Sequence, residues 1–235
     1  HRINLRHNKT LDEKNTFEFL QTTIDDNFFP GSTQKRDVLT ALFNQLILKL
    51  EDQNTFINAA SLLPKLIDEK HVLFAFNSAS IQSIFNTLGY GGILGDKRAV
   101  EQAIINDFLA INEANIGVNK ANINVTRITN YEVTFDNKIA SKVSHEIKND
   151  SEKEYKTYMR VFSPLGSKLI SISFDQEKQT IVPAVTDFRV YERPTFKTPA
   201  GLEVDQASDN NLQVFGFIVS VPPKSAKKIE IVYDN

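Results

Sequence analysis

Along residues 33–50, the apolar side chains Val38, Leu39, Leu42, Phe43, Leu46, Ile47 and Leu50 return at the 3.6-residue period of an amphipathic helix, with Ser32 or Thr33 placed to cap it. Phe17, Leu20, Ile24 and Phe28 mark a shorter helix that begins near Asn15-Thr16 and stops at Pro30-Gly31. A third apolar stripe comprises Phe56, Ile57, Ala60, Leu63, Leu66 and Ile67; Pro64, which lacks a backbone donor, is expected to kink or divide that helix. Residues 72–76 read as a short buried strand. Ser78 or Ser80 can cap a further helix bearing Ile81, Ile84, Phe85 and Leu88, and Gly89 stands where a helix stops. A short helical stretch near 98–104 and a strand over 108–112 complete a mainly helical first part.

The period changes from 3.6 to 2 after Asn115. Val125, Thr129, Tyr131, Val133 and Phe135 share one parity, against Asn124, Thr126, Asn130, Glu132 and Thr134 on the other, with Ile128 the exception. Asp136-Asn137-Lys138 supplies a turn, and Ile139, Val143 and Ile147 alternate with Lys142, Glu146 and Lys148 in the return strand, which predicts a hairpin. Further strands are expected over 155–162, 168–174, 187–191, 212–221 and 229–233, with a possible one at 202–204 in a loop-rich stretch. Short strands at this spacing predict an antiparallel sandwich or barrel. The fold class is therefore α+β: a helix-rich segment over 1–114 with one or two strands, the remainder of a larger upstream domain, then an antiparallel Ig-like β-sandwich over 115–235.

Composition narrows the chemistry. With 27 basic and 29 acidic residues the formal charge is -2, so no global positive field favours nucleic acid or anionic lipid. The absence of cysteine removes disulfides, thiolate metal sites and cysteine nucleophiles. The apolar run 214–221 is interrupted by Gly216 and Ser220 and ends at Pro222-Pro223, well short of the ~20 residues a membrane-spanning helix needs, so no direct membrane insertion is expected. A start at His1-Arg2-Ile3-Asn4 carries no signal peptide and reads as an excised fragment, with any anchor or export signal outside it.

No motif specifies a reaction. Gly89-Tyr90-Gly91-Gly92 with Gly95-Asp96-Lys97 lacks the Gly-Lys-Ser/Thr of a phosphate loop, and Gly166-Ser167-Lys168 sits between strands. His1, His7, His71 and His145 have no metal-ligand spacing, and His145 shares the apolar parity of Val143 and Ile147, as a satisfied core or sheet-edge histidine does. Asp25-Asp26, Glu101 with Asp107, and Asp205 with Asp209 are the carboxylate groupings, and their spacing defines no glycosidase pair. Tyr155, Tyr158, Phe162, Phe188, Tyr191 and Phe196 concentrate aromatic surface in the β region; an exposed cluster there would mark a glycan- or protein-binding face. An intramolecular Lys–Asn isopeptide bond is one covalent alternative.

The most unusual local sequence is Asn115-Ile116-Gly117-Val118-Asn119-Lys120-Ala121-Asn122, leading into a long strand. With the stretch 70–77 leading to Leu88-Gly89-Tyr90-Gly91-Gly92, the strand and turn Tyr158-Met159-Arg160-Val161-Phe162-Ser163-Pro164-Leu165-Gly166, and Phe215-Gly216-Phe217 running to Pro222-Pro223-Lys224-Ser225, it resembles the bacterial domain-of-unknown-function family 4012. The resemblance covers the C-terminal half of a typical member and departs from it at Tyr90, where Trp is common, and at Val118, where a second Gly is common. It implies an extracytoplasmic part of a membrane-anchored envelope protein and no established reaction.

The expected function is a structural, adhesive or ligand-binding envelope module without a catalytic constellation of its own. The alternative is an accessory part of an envelope enzyme acting on glycan or lipid-linked phosphate, with its active site upstream. Asn115, Asn119, Lys120 and Tyr90 are the candidate ligand contacts, although the amides first of all suit an ordered crossover, because Asn side chains bond neighbouring backbone. No catalytic residue, cofactor or metal is assigned, and the expected partner is envelope glycan or another envelope protein.

Overall fold

The computed structural model describes residues 3–4, 10–22, 33–93, 107–135, 139–190, 192–209 and 211–235. Two compact units divide between Leu94 and Gly95.

In the first unit, β1 (Ile3–Asn4) pairs antiparallel with β2 (Thr10–Leu11), followed by α1 (Thr16–Thr22), α2 (Thr33–Leu50), α3 (Gln53–Asp68) and α4 (Ala79–Thr87). The 3.6-residue stripes form the helices expected of them. Asp52 caps α3 by accepting from the Thr55 amide at 2.8 Å, and Pro64 lies inside a continuous helix rather than dividing it. Ser78 precedes α4 without a side-chain cap bond, and Gly89 follows it at φ 77°, a left-handed position that suits glycine. Ile24, Phe28, Pro30-Gly31 and the 98–104 stretch lie outside the described residues.

Residues 72–76 form no strand. The Phe74 amide bonds the Tyr90 carbonyl at 2.9 Å and the Phe76 amide bonds Gln82 Oε1 at 2.6 Å, so side chain and loop replace a ladder. Leu73 is 52% exposed there, which also overturns the expected burial. Leu11 is buried against Phe19 and Leu42, while α3 and α4 hold no buried residue and leave Phe56, Ile57, Leu63, Ile81 and Ile84 exposed.

The second unit is a two-layer, sandwich-like β structure, which makes the chain α+β. One sheet has the order β3 (Ala110–Asn115), β6 (Tyr155–Pro164), β11 (Leu212–Val221), β10 (Leu202–Asp209) and β9 (Ile181–Pro183). The other runs β4 (Val125–Phe135), β5 (Ile139–Asn149), β12 (Ser225–Asp234), β7 (Lys168–Phe174) and β8 (Glu177–Lys178). All the pairings within them are antiparallel except β9 with β10, which is parallel. Because β3 pairs with β6 along 110–115, the sheet takes in residues that the sequence reading placed ahead of its 115 boundary.

Odd-numbered residues of β5, β6, β11 and β12 face the core, as do even-numbered Ile172 in β7 and Val204 in β10. Val143, Ile147, Tyr155, Met159, Val161, Ile172, Phe215, Phe217, Ile229, Ile231 and Tyr233 are all essentially inaccessible, as the period-2 pattern requires of two facing sheets. Burying side chains of this size stabilises by roughly 1.5–3 kcal/mol each before entropy is counted. Phe162, Leu212 and Val214 point the opposite way and form a small cluster with Phe108 and Ala110 on the outer face.

The expected strand at 187–191 is instead a 3-10 turn over Phe188–Val190. Asp187 Oδ1 accepts from the Arg189 amide at 3.1 Å and from Arg189 Nε at 2.8 Å, a local bond set that competes with sheet pairing. Tyr191 lies outside the described residues.

Candidate functional site

β3 and β4 are edge strands of different sheets, and the polypeptide between them crosses from one sheet to the other. Asn115, Asn119 and Asn122 build that crossover. Asn115 Nδ2 donates to the Asn119 carbonyl at 2.7 Å, Asn119 Nδ2 donates to the Glu154 carbonyl at 2.9 Å, and Asn119 Oδ1 accepts from the Ala121 amide at 2.9 Å. A 3-10 turn over Ala121–Asn124, whose Ala121 is buried, then delivers β4. The Asn119 amide bonds are therefore spent on backbone, while Asn115 Oδ1 is buried without a partner. Lys120 is half-buried in the same crossover; Tyr90 belongs to the first unit, where the Lys70 ammonium stands 5.1 Å from its ring centre.

Below the crossover, polar side chains on the inward parity join the two edges. Arg127 Nε donates to Glu113 Oε1 at 2.6 Å, His145 Nε2 lies 3.2 Å from the same oxygen, and Tyr155 donates to Oε2 at 2.9 Å. Arg127 Nη2 also donates to the Tyr155 oxygen at 3.0 Å. Since a carboxylate only accepts, His145 Nε2 carries the proton toward Glu113, and its Nδ1 faces the Thr129 hydroxyl at 2.8 Å. Burial alone raises the Glu113 carboxyl, but the bonds from His145, Arg127 and Tyr155 outweigh it and hold the group at about 2. Burial, followed by the Glu113 carboxylate, pushes the Tyr155 phenol up, so it stays protonated and able to donate.

The seam continues along the same strands. Tyr131 donates to Asp107 and stands 3.2 Å from Ser141 Oγ, and Tyr233 donates to Tyr131 at 3.3 Å. Asn235 reaches Ser141 at 3.1 Å and accepts from Ser167 at 2.9 Å. Burial, with Tyr131 second, carries the Tyr233 phenol above its ordinary range.

Thr129, His145 and Glu113 stand in the order hydroxyl, imidazole, carboxylate, which is also the order of a nucleophile relay. Here the carboxylate is already paired with a guanidinium and hydrogen-bonded by a phenol, and the bonds from Arg127 and His145 to Glu113 tie one sheet to the other. The arrangement works as a structural tie. Sequence spacing could not reveal it, because Glu113, Arg127 and His145 come from three strands.

A different set of groups faces outward on the first sheet. Asn112, Arg160, Gly216 and Asp205 are directly opposite one another across β3, β6, β11 and β10. Arg160 Nη2 donates to Asn112 Oδ1 at 3.0 Å and its guanidinium stands 5.5 Å from the Phe162 ring. Tyr158, one row away, extends its phenol over Gly216 and donates to Asp205 Oδ2 at 3.3 Å. A Cβ at position 216 would come within 2.1 Å of the Tyr158 oxygen, so only glycine leaves this ring its place. Tyr158, Arg160 and Asp205 are half-buried, and Ile218, opposite Tyr158, is 48% exposed.

Of the carboxylates singled out by spacing, Asp107 belongs to the seam, Asp205 to the outer row and Asp209 to the exposed end of β10; Asp25, Asp26 and Glu101 lie outside the described residues, as do His1 and His7. His71 is exposed beside Glu69 at 3.5 Å. Among the described residues no group of three or more carboxylates or imidazoles is placed to hold a metal ion, and no lysine is among the buried polar residues, as an isopeptide bond would need. No helix of the described residues is long and apolar enough to cross a membrane. No family model, no curated protein and no solved structure matches the chain.

Proposed function

We propose that the chain is a non-enzymatic, extracytoplasmic module of a membrane-anchored bacterial envelope protein, and that its Ig-like β unit binds an envelope polymer or partner on the outer face of the β3–β6–β11–β10 sheet. The observation that carries the binding reading is the cross-strand row Asn112–Arg160–Gly216–Asp205 with the Tyr158 phenol laid over its glycine. A row of hydrogen-bonding groups beside an aromatic ring and an exposed apolar side chain is the composition of a recognition surface. The inward-facing Glu113, Arg127 and His145, by contrast, are engaged with one another. The envelope placement rests on the family resemblance carried by 115–122 and the strands that follow.

Co-sedimentation with purified bacterial cell wall tests the reading. The wild-type chain is expected in the pellet and the Tyr158→Ala, Arg160→Gln double variant in the supernatant, with near-ultraviolet circular dichroism showing both folded. Equal sedimentation of the two, or none by the wild type, removes the assignment.

A further inference from the structure

Resting on that reading of the outer face, we infer that the ligand is an anionic saccharide, bound with its carboxylate on Arg160, a ring face against Tyr158 and its hydroxyls on Asp205. Arg160 supplies the charge argument. A guanidinium offers five N–H donors, and here its hydrogen bond goes to the neutral amide of Asn112, with no carboxylate at ion-pair distance among the described residues. A half-buried cation in that state is prepared for a planar bidentate acid.

Asp205 supplies the selectivity. It lies across Gly216 from Arg160, two interstrand steps or roughly 10 Å away along the row. A polyphosphate or a run of acidic peptide side chains laid along the row would set a second negative charge against Asp205. A uronic acid instead presents one carboxylate at one end of a ring and hydroxyl donors at the other, which matches a cation and an acceptor at that separation. Tyr158 lies between them, with its hydroxyl already held by Asp205 at 3.3 Å, and Ile218 extends the apolar surface beside it.

Gly216 permits a test that removes no ligand-contacting group. In Gly216→Ala the new methyl carbon would fall 2.1 Å from the Tyr158 oxygen and 2.7 Å from Cζ, so the ring must leave the row while Arg160 and Asp205 remain.

Titration calorimetry of the full chain with a galactose tetramer in which a single sugar is galacturonic acid, and with its methyl ester, decides the matter. The acid is expected to bind about tenfold or more tightly than the ester, and its binding to weaken as salt is raised. Arg160→Gln should reduce the acid to the level of the ester, Arg160→Lys should keep a weakened, salt-sensitive preference, and Gly216→Ala should weaken both oligomers. Equal binding of acid and ester, unaffected by Arg160→Gln but lost in Gly216→Ala, overturns the anionic ligand and leaves the binding face standing. Failure of both oligomers to bind, with cell-wall retention still lost in the double variant, likewise overturns the saccharide assignment alone. Binding indifferent to Arg160→Gln and Gly216→Ala overturns both readings.

Discussion

Replacing Glu113 with glutamine tests how the two sheet edges are held together. The wild-type carboxylate is 8% exposed and takes bonds from Arg127 at 2.6 Å, Tyr155 at 2.9 Å and His145 at 3.2 Å. A carboxyl held at about 2 in the folded chain, against an ordinary 4.5, contributes about 3 kcal/mol at neutral pH. Arg127 is 34% exposed and can turn to water when its partner is lost, which reduces the expected cost of Glu113→Gln to about 2 kcal/mol. The sign follows from the lowered value: the contribution is complete above pH 4.5 and disappears as pH falls toward 2. The gap between wild type and variant should therefore close across that window, since glutamine does not titrate. Urea unfolding at a series of pH values, followed by near-ultraviolet circular dichroism, measures it; Tyr90 apart, the tyrosines that give the signal all lie in the second unit. A variant within about 0.5 kcal/mol of wild type at pH 7, or a gap unchanged between pH 5 and 3, would refute the tie.

Three further substitutions probe other links. Asn149 is fully buried and its amide donates to the carbonyls of Lys153, Val221 and Pro222 while its oxygen accepts from Ser151, so Asn149→Ala should cost about 3 kcal/mol and Asn149→Asp more, read as a fall in urea midpoint at constant slope. Gly201 has φ 140° and a Cβ there would meet the Thr180 carbonyl at 2.5 Å; Gly201→Ala should destabilise by at least ~1 kcal/mol and speed amide exchange at Leu202, whose amide bonds that carbonyl. Pro64 interrupts the hydrogen bonds of α3, and Pro64→Ala should raise far-ultraviolet helical signal and first-unit stability by roughly 1–3 kcal/mol, the smaller figure allowing for greater freedom in the unfolded chain.

Most strands of the second unit were legible because their two faces meet different surroundings. The strand expected over 212–221 forms as Leu212–Val221, and the hairpin expected from Val125–Ile147 forms as β4 and β5, where Ser141, Val143, His145, Ile147 and Asn149 of β5 are buried in alternation with more exposed neighbours. Residues 72–76 carry strand-like composition, but among the described residues no strand pairs with them, so composition alone misleads there. At 187–191 the Asp187–Arg189 bonds outweigh weak alternation.

The polar seam was visible only as an anomaly. Arg127 sits on the apolar parity of β4 and His145 on that of β5, while Glu113 shares the parity of Ile111 in β3. Charged groups on the core parity of separate strands are the signal that they bury against each other, because unpaired charge is too costly to leave inside. Which strands meet depends on the crossover at 115–125, and no local pattern encodes that. The outer row was out of reach for the same reason: Tyr158, Arg160, Asp205 and Gly216 come together through the register of β6, β11 and β10, and Gly216 read as an interruption of an apolar run and as part of the Phe215-Gly216-Phe217 resemblance.

The central claim, that the outer face of the first sheet is the recognition surface, is tested most directly by mapping backbone amide shifts on adding solubilised cell-wall polysaccharide to the labelled chain. Perturbations are expected to centre on Asn112, Tyr158, Arg160, Asp205, Gly216 and Ile218. Perturbations centred instead on the outer face of the β4–β5–β12 sheet or on the helices of the first unit, or no perturbation at all, would contradict it.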